Sequence, residues 1–270
     1  MSRLLLAALG GPLAALAVGC ASALGEPPDL AGLGGGARQP AAAAPEQVTS
    51  WLAEAEGELE AARNPGAVAR ARRLFLDALA ADPTRLEGFL GAARATAWLI
   101  EHEEAGGRRE ELATEGVQIG QLCRRHHPDA PECTYRLALA VGQQARERPA
   151  TATDGLKVMV GLLEEVIASA PDLDHAGGHR VLALVLLRAP GWPTGPGDPE
   201  LGLEHARAAV EAFPDHPPNQ LVLGEALLDN DLPVEARGAL ERGVALARSS
   251  DDPEAAEWAD QGEAALAELR

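Results

Sequence analysis

Apolar and polar positions follow a helical pattern along most of the chain, and the pattern is interrupted at regular intervals. Helical segments end at Pro83, Pro128, Pro171 and Pro214, which are 45, 43 and 43 residues apart. A regular period of this size predicts stacked helix pairs. The predicted pairs are residues 46–62 with 67–81, 85–102 with 108–126, 131–146 with 154–169, 175–188 with 199–212, and 217–229 with 233–247. A final helix from Asp252-Pro253 to about Leu269 would cover the apolar edge of the last pair.

The composition favours the same all-α fold. Apolar residues make up 46% of the chain but aromatic residues only 3%. Ala and Leu, which dominate the apolar set, have high helix propensity, whereas β-branched and aromatic strand formers are scarce. A β-sandwich or β-barrel is therefore excluded. With 23 basic against 41 acidic residues and a formal charge of −18, the chain lacks the basic surface that nucleic acid or anionic lipid requires.

The helix before Pro83 carries Ala71, Phe75 and Ala78, and this spacing resembles the second helix of the tetratricopeptide repeat (TPR). Small residues at these positions let two helices approach, and the proline ends the helix. The same frame finds four further units, with Gly116-Gly120-Cys123, Met159-Leu163-Val166, Gly202-Ala206-Ala209 and Ala236-Leu240-Gly243. The resemblance implies an α/α superhelix of about five helix pairs with a C-terminal capping helix, formed by residues 46–270.

Fixed positions of each first helix line the inner, concave surface of such a superhelix, and three successive repeats place an arginine there. The frame assigns these positions to Glu87, Leu90, Arg94, Arg136, Ala140, Gln143, Arg180, Leu184, Leu221 and Glu225. Guanidinium groups suit bidentate contacts with carboxylates. The arrangement resembles the carboxylate clamp of peptide-binding TPR domains, without its typical lysine and asparagine. Alternatively, the arginines pair with Glu87, Glu225 or acidic residues of adjacent helices.

The N-terminus is typical of an exported lipoprotein. Arg3 precedes an apolar stretch, residues 4–18, that is too short to span a bilayer. The stretch ends in Ala17-Val18-Gly19-Cys20, which resembles the bacterial lipobox. We therefore expect residues 1–19 to be a signal peptide and Cys20 to be acylated, which anchors the chain to the membrane only through lipid. Ala21 favours the periplasmic face of the outer membrane. The alternatives are a signal peptide cut elsewhere and a buried helix with a chance cysteine.

Residues 20–45 are rich in Gly, Pro and Ala and carry few large apolar side chains. A segment of this composition buries too little surface to order itself, so we expect a disordered tether.

Residues 176–209 combine Ala176-Gly177-Gly178-His179 with a Pro/Gly-rich loop and Gly197-Asp198-Pro199-Glu200. This segment, with the lipobox and the helical layout, resembles the T component of TRAP transporters, the TatT family of periplasmic lipoproteins. The resemblance implies a non-catalytic, ligand- or partner-binding accessory of solute uptake, with a TRAP substrate-binding protein as partner. The rival hypothesis is a structural TPR scaffold in a secretion, pilus or outer-membrane assembly.

Cys123 ends one predicted repeat and Cys133 begins the next, so we expect them to form a disulfide in an oxidising compartment. A zinc site formed by these cysteines with His126 and His127 is the alternative. His175 and His179 are spaced for a metal on one helix face, but no carboxylate completes a site, so we expect neither metal nor cofactor.

Between Arg188 and Glu200, four prolines restrict a loop that carries Trp192. We expect an ordered loop with Trp192 packed either on its own repeat or along a ligand pocket.

The sequence carries none of the common catalytic motifs, which favours a binding module over an enzyme. The expected ligand is a protein partner, a small organic acid or an apolar molecule. The candidate ligand-binding residues are Arg94, Arg136, Gln143, Arg180, Trp192 and Glu225.

Overall fold

The computed structural model describes residues 22–35, 43–61 and 64–269. Within these ranges the chain forms eleven α-helices and no β-sheet. The helices are α1 (Pro45–Ala61), α2 (Pro65–Ala81), α3 (Leu86–His102), α4 (Gly106–His126), α5 (Pro131–Glu147), α6 (Ala152–Ser169), α7 (Gly177–Arg188), α8 (Pro199–Ala212), α9 (Pro217–Asp229), α10 (Pro233–Arg248) and α11 (Ala255–Glu268). Short 3-10 helices, Leu30–Gly35 and Pro149–Thr151, precede α1 and α6. All predicted helices are present, with ends within three residues of those expected.

The helices form a two-layered solenoid. Each helix packs on the next one in the chain, and odd-numbered helices also contact each other: α1 with α3, α3 with α5, α7 with α9, and α9 with α11. Within the described part of the chain, even-numbered helices form no contacts of this extent. The odd-numbered helices are therefore the inner layer and the even-numbered helices the outer layer. The predicted α/α superhelix of five helix pairs and a capping helix is confirmed.

The four periodic prolines occupy equivalent positions in four similar turns. In the first, the Asp82 amide donates to the Ala78 carbonyl (2.8 Å), and the Arg85 amide donates back to the Asp82 carbonyl (3.4 Å). Pro83 is the second residue of this turn, where its fixed φ is favoured. The corresponding bonds at the other three prolines are His127 to Cys123, Ala130 to His127, Ala170 to Val166, Leu173 to Ala170, Phe213 to Ala209, and His216 to Phe213. The proline period thus marks the first four of the five passages from the outer to the inner layer.

Small residues at the motif positions let the two layers approach closely. At Gly120 in α4, an added Cβ would lie 2.8 Å from the Cα of Leu137 in α5, a distance that real Cβ atoms do not show. The equivalent positions Ala71, Ala78, Ala206, Ala209 and Ala236 are fully buried. Their burial explains why Ala and Gly recur in the frame found in the sequence.

Cys123 and Cys133 form the predicted disulfide across the turn between α4 and α5, with their Cα atoms 5.3 Å apart. The alternative zinc site is therefore not formed by these cysteines. His126 and His127 instead pack against Phe89, each with its ring centroid 5.7 Å from the phenyl ring.

The described part of the expected tether lies on the helical domain. The Ala23 amide donates to Asp154 Oδ2 in α6 (2.7 Å), and the Gln121 side chain donates to the Gly25 carbonyl (2.9 Å). Ala23 and Leu33 are buried among the helices. Over residues 22–35 the expectation of disorder is therefore wrong, because these two apolar side chains find sites on the domain that composition does not reveal. The signal peptide, Cys20 and residues 36–42 lie outside the described residues.

Within the described residues, no helix combines the length and the hydrophobicity needed to cross a bilayer.

Candidate functional site

The inner layer lines a half-open cavity of about 620 Å³ that extends from α1 to α11. Its lining includes the side chains of all three predicted arginines, Arg94, Arg136 and Arg180, and of Gln143. The other lining residues are Leu59, Glu60, Ala97, Trp98, Glu101, Asp174, His175, His216, Pro218, Asp252, Glu254 and Trp258. The cavity is within the size range of small-molecule sites, which is about 300 to 1,000 Å³.

Arg94, in α3, pairs with an acidic residue of the adjacent inner helix. Its Nη2 lies 2.8 and 2.6 Å from the two carboxylate oxygens of Glu56 in α1. Both side chains are more than one-third exposed, so water screens the pair and its contribution to stability is small. The alternative expectation of pairing with a neighbouring helix thus holds for Arg94, but Glu87 is not the partner, because Glu87 binds Arg85.

Arg180, at the start of α7, is fixed by a polar network. Its Nη2 donates to Asp174 Oδ2 (2.6 Å), and its Nη1 donates to Asn219 Oδ1 (3.0 Å) and to the carbonyl oxygens of Asp174 and His175. Only 11% of the Arg180 side chain is exposed. The same Asp174 oxygen accepts a hydrogen bond from the Tyr135 hydroxyl (2.6 Å). This arginine therefore already has a carboxylate and three neutral acceptors.

Three consecutive residues before α7 have left-handed backbone dihedrals: Asp174, His175 and Ala176, with φ of 52°, 54° and 61°. This conformation costs energy in residues other than glycine. The Gly177 amide closes the turn by donating to the Leu173 carbonyl (2.8 Å). A Cβ at Gly177 would overlap the Tyr135 hydroxyl, so glycine is required there. The turn places Asp174 and His175 in the cavity wall and delays the start of α7 from the predicted residue 175 to Gly177.

Arg136, in α5 between the other two arginines, has no carboxylate partner among the described residues. Its guanidinium carbon lies 5.9 Å from the centre of the Tyr135 ring, within cation–π range. Burial lowers the pKa of Arg136, and the nearby positive charge of Arg94 contributes to that decrease. Arg136 therefore retains its capacity to bind an anion.

The remaining candidates occupy different places. Gln143 lines the cavity and donates to Glu101 Oε1 (3.2 Å). Glu225 does not line it, because both of its carboxylate oxygens bind Arg188 at 2.6 Å.

The expectation that Trp192 packs against its own repeat or a pocket is wrong, since 90% of this residue is exposed. The loop itself is ordered by backbone hydrogen bonds from Thr194 to Gly191 (3.1 Å) and from Gly197 to Pro190 (2.9 Å). These bonds hold the loop without using the indole ring.

Of the ring side chains on the cavity wall, only His175 was considered in the sequence, as a metal ligand with His179, whereas Trp98, His216 and Trp258 were not singled out. His175 stacks on His216 with centroids 4.5 Å apart, and His216 meets the edge of Trp258 at 5.9 Å. On α3, Trp98 stacks on His102. Trp98 follows Arg94 by four residues, a spacing that places both on one helix face and could have identified it. The approach of α11 to the cavity has no comparable signal in the sequence.

Two histidine environments in the structure favour the neutral ring. Burial, together with the charges of Arg180 and His175, lowers the pKa of His216 to about 4. Outside the cavity, Nδ1 of His179 lies 2.9 Å from Nδ1 of His205, and burial lowers the pKa of both rings.

In the described residues, no group of three or more His, Cys, Asp or Glu side chains is arranged to hold a metal ion.

Comparison with known proteins defines the class of fold. The chain superimposes on TTC0263, a thermophilic TPR protein of Thermus thermophilus, with a TM-score of 0.61 and 17% identity over 82% of this chain and 99% of that one. MamA 41-end from Desulfovibrio magneticus RS-1 matches with a TM-score of 0.51 and 18% identity over 78% and 100% of the two chains. No protein-family model matches the sequence, and neither does any curated protein. The chain therefore has the fold of TPR proteins, and its resemblance to the TatT family remains a sequence-based prediction.

Proposed function

We propose that this protein is a non-catalytic binding module whose inner cavity binds a carboxylate-bearing ligand at Arg136. The observation that carries the proposal is the difference among the three cavity arginines. Arg94 binds Glu56 and Arg180 binds Asp174, whereas Arg136 has no carboxylate partner among the described residues. A charged group that is partly buried without a counterion gains more from a ligand than one already paired.

The acidic residues of the cavity do not neutralise Arg136 directly. Glu60 lies on α1, and Asp252 and Glu254 precede α11, at the two ends of the inner layer. Glu101 binds Arg146 at 2.8 Å. The charge of Asp174 favours the charged form of Arg136, but its Oδ2 already accepts hydrogen bonds from Tyr135 and Arg180. The central part of the cavity is thus the place where an added carboxylate meets the least repulsion.

Isothermal titration calorimetry with acetate and succinate tests this proposal. We expect Arg136→Ala to weaken binding by about tenfold or more, the loss typical of a charge-assisted hydrogen bond. The matched control is Arg207→Ala, which removes the same charge from an exposed position on α8, where the guanidinium is 3.8 Å from Glu235. Equal affinity of wild type and Arg136→Ala, with both folded by circular dichroism, would refute the proposal.

We also propose that the module is a lipoprotein of the bacterial envelope, anchored through Cys20 to the periplasmic face of the outer membrane. The support is the short apolar segment that ends in Ala17-Val18-Gly19-Cys20, followed by Ala21. Radiolabelled palmitate should label the wild type and not Cys20→Ser, which should leave the membrane fraction. Labelling of the variant would refute the proposal that Cys20 is the acylated residue.

The proposed partner, a TRAP substrate-binding protein, rests on the resemblance of residues 176–209 to the TatT family. Co-purification of the two proteins from cells that express both, followed by native mass spectrometry, tests the pair. A TRAP substrate-binding protein that does not form a complex with the wild type would favour the rival role as a scaffold in an envelope assembly.

A further inference from the structure

We propose that the ligand of this cavity carries a planar aromatic ring beside its carboxylate. The inference rests on the proposed function and adds the chemical class of the ligand. Its basis is the row of rings that shares the cavity wall with Arg136: Trp98, His175, His216 and Trp258.

The rings are concentrated at this site beyond what the composition provides. The chain has only 4 Trp, 1 Tyr and 3 Phe in 270 residues, yet two of the four tryptophans line one cavity. Both are partly exposed rather than buried in the core. Trp98 packs partly against the hydrophobic core, whereas Trp258 belongs to none of the core clusters in the described part of the chain.

The rings are held in fixed orientations by one another. His175 and His216 are nearly parallel, with an interplanar angle of 22°, and Trp258 meets His216 at 67°. Phe213 supports His175 from the edge, at a centroid distance of 5.3 Å. Side chains ordered in this way lose little further freedom when a ring binds. They form a preorganised aromatic wall.

The position of Trp98 connects this wall to the arginine. Trp98 lies one helical turn after Arg94 on α3, and α3 packs directly on α5, which carries Arg136. A carboxylate bound at Arg136 therefore holds the rest of its molecule near an indole. The low pKa of His216 leaves the imidazole neutral at neutral pH, so the ring offers a stacking face without adding charge.

The acidic residues at the ends of the cavity raise a competing possibility, an aromatic cation held over the indoles. Arg136, which has no carboxylate partner among the described residues, favours the anion, because a cation would add a further positive charge to a cavity already lined by three arginines. The two classes are separated by ligands that share a ring and differ only in charge.

Calorimetry with matched ligands tests the inference on the wild-type protein. The probes are acetate, cyclohexylacetate, phenylacetate and phenethylamine. We expect phenylacetate to bind about fivefold more tightly than cyclohexylacetate, as aromatic pairing adds to simple burial. Phenethylamine should bind most weakly. Equal binding of phenylacetate and cyclohexylacetate would refute the inference that the ligand carries an aromatic ring. Arg136-dependent acetate binding would still support the proposed function.

Two peptides distinguish the sources of the aromatic carboxylate. Gly-Gly-Phe has a ring beside a chain-terminal carboxylate, and its C-terminal amide lacks the charge. Tighter binding of the free peptide than of phenylacetate, and loss of binding by the amide, would assign the site to a protein terminus. The reverse order would assign it to a small aromatic acid.

Variants then locate the ring. Trp258→Ala should abolish the advantage of phenylacetate over cyclohexylacetate, and Trp98→Ala should do the same. Trp192→Ala, at an exposed indole outside the cavity, is the matched control. If no carboxylate binds the wild type, or if phenethylamine binds most tightly irrespective of Arg136, both the inference and the proposed function are wrong.

Discussion

The hydroxyl of Tyr135 donates a hydrogen bond of 2.6 Å to Oδ2 of Asp174. The two residues belong to successive repeats, on α5 and in the left-handed turn before α7. Burial and the charge of Asp174 raise the pKa of Tyr135, so the hydroxyl keeps its proton and remains a donor. Because Arg180 binds the same carboxylate oxygen, Tyr135 and Arg180 together hold Asp174, and Arg136 has no carboxylate partner among the described residues.

We expect Asp174→Asn to lower the free energy of unfolding by about 1 to 2 kcal/mol, because Arg180 and Tyr135 lose a charged acceptor. Asparagine tolerates the left-handed conformation, so the turn itself should persist. The released Arg180 should strengthen acetate binding. Urea denaturation and calorimetry measure the two effects. Asp172→Asn, two residues earlier and exposed, is the control and should change neither. Unchanged stability of Asp174→Asn would contradict the role assigned to this carboxylate.

The disulfide between Cys123 and Cys133 should stabilise the domain by restricting the unfolded chain. For a loop of 10 residues, chain entropy gives about 2.5 to 3 kcal/mol. Cys123→Ala, Cys133→Ala and the double variant should each lose this amount, because either single change removes the bond. Urea unfolding measures it.

The oxidation state of the natural protein checks the same bond independently. Intact mass after alkylation without reductant should show no modified thiol among the described cysteines of protein purified from periplasm. Two alkylated thiols would show that the bond does not form in the cell.

The layout of the solenoid was predictable from the sequence because one physical constraint recurs along the chain. Each outer helix must end and return to the inner layer, and Pro83, Pro128, Pro171 and Pro214 encode four of these five turns locally. Gly120 shows a second local signal, since close approach of α4 and α5 excludes a larger residue. A turn proline and a close-contact glycine each act at their own position in the sequence. The spacing of these residues therefore predicts where the helices end.

The partners of the cavity residues could not be predicted in the same way. The frame placed Arg94, Arg136 and Arg180 on the inner helices, and all three line the cavity. Their ion pairs depend on side-chain reach between repeats, as Arg94 with Glu56 shows. The left-handed turn that positions Asp174 has no glycine at its three residues, and therefore carries no sequence signal.

Acidification should destabilise the fold through three partly buried histidines. The pKa values of His179, His205 and His216 are all lowered by burial, so the unfolded chain binds more protons than the native chain below about pH 6.5. The stabilisation is complete above that pH and decreases as the pH falls toward about 4, the pKa of His216. Urea midpoints should therefore be lower at pH 5.5 than at pH 7.5.

The double variant His179→Gln and His205→Gln isolates the contribution of that pair. In the wild type, one Nδ1 must donate to the other at 2.9 Å, which protonation of both rings prevents. The variant should show a smaller difference between the two pH values than the wild type. An equal difference would show that other groups, such as carboxylates, cause the acid sensitivity.

Docking of the N-terminal segment should depend on Asp154, which accepts the Ala23 amide at 2.7 Å. Asp154→Ala removes this acceptor and should increase hydrogen exchange at Ala23 by about tenfold or more, the loss expected for a hydrogen bond to a charged group. Amide exchange followed by mass spectrometry of peptides that contain residues 22–26 measures the change. Glu164→Ala removes the same charge from an exposed site on the same helix and should leave the exchange unchanged. The helical domain should keep its thermal midpoint in both variants, because Asp154 bonds the segment rather than the solenoid. Rapid exchange at Ala23 already in the wild type would restore the free tether expected from composition.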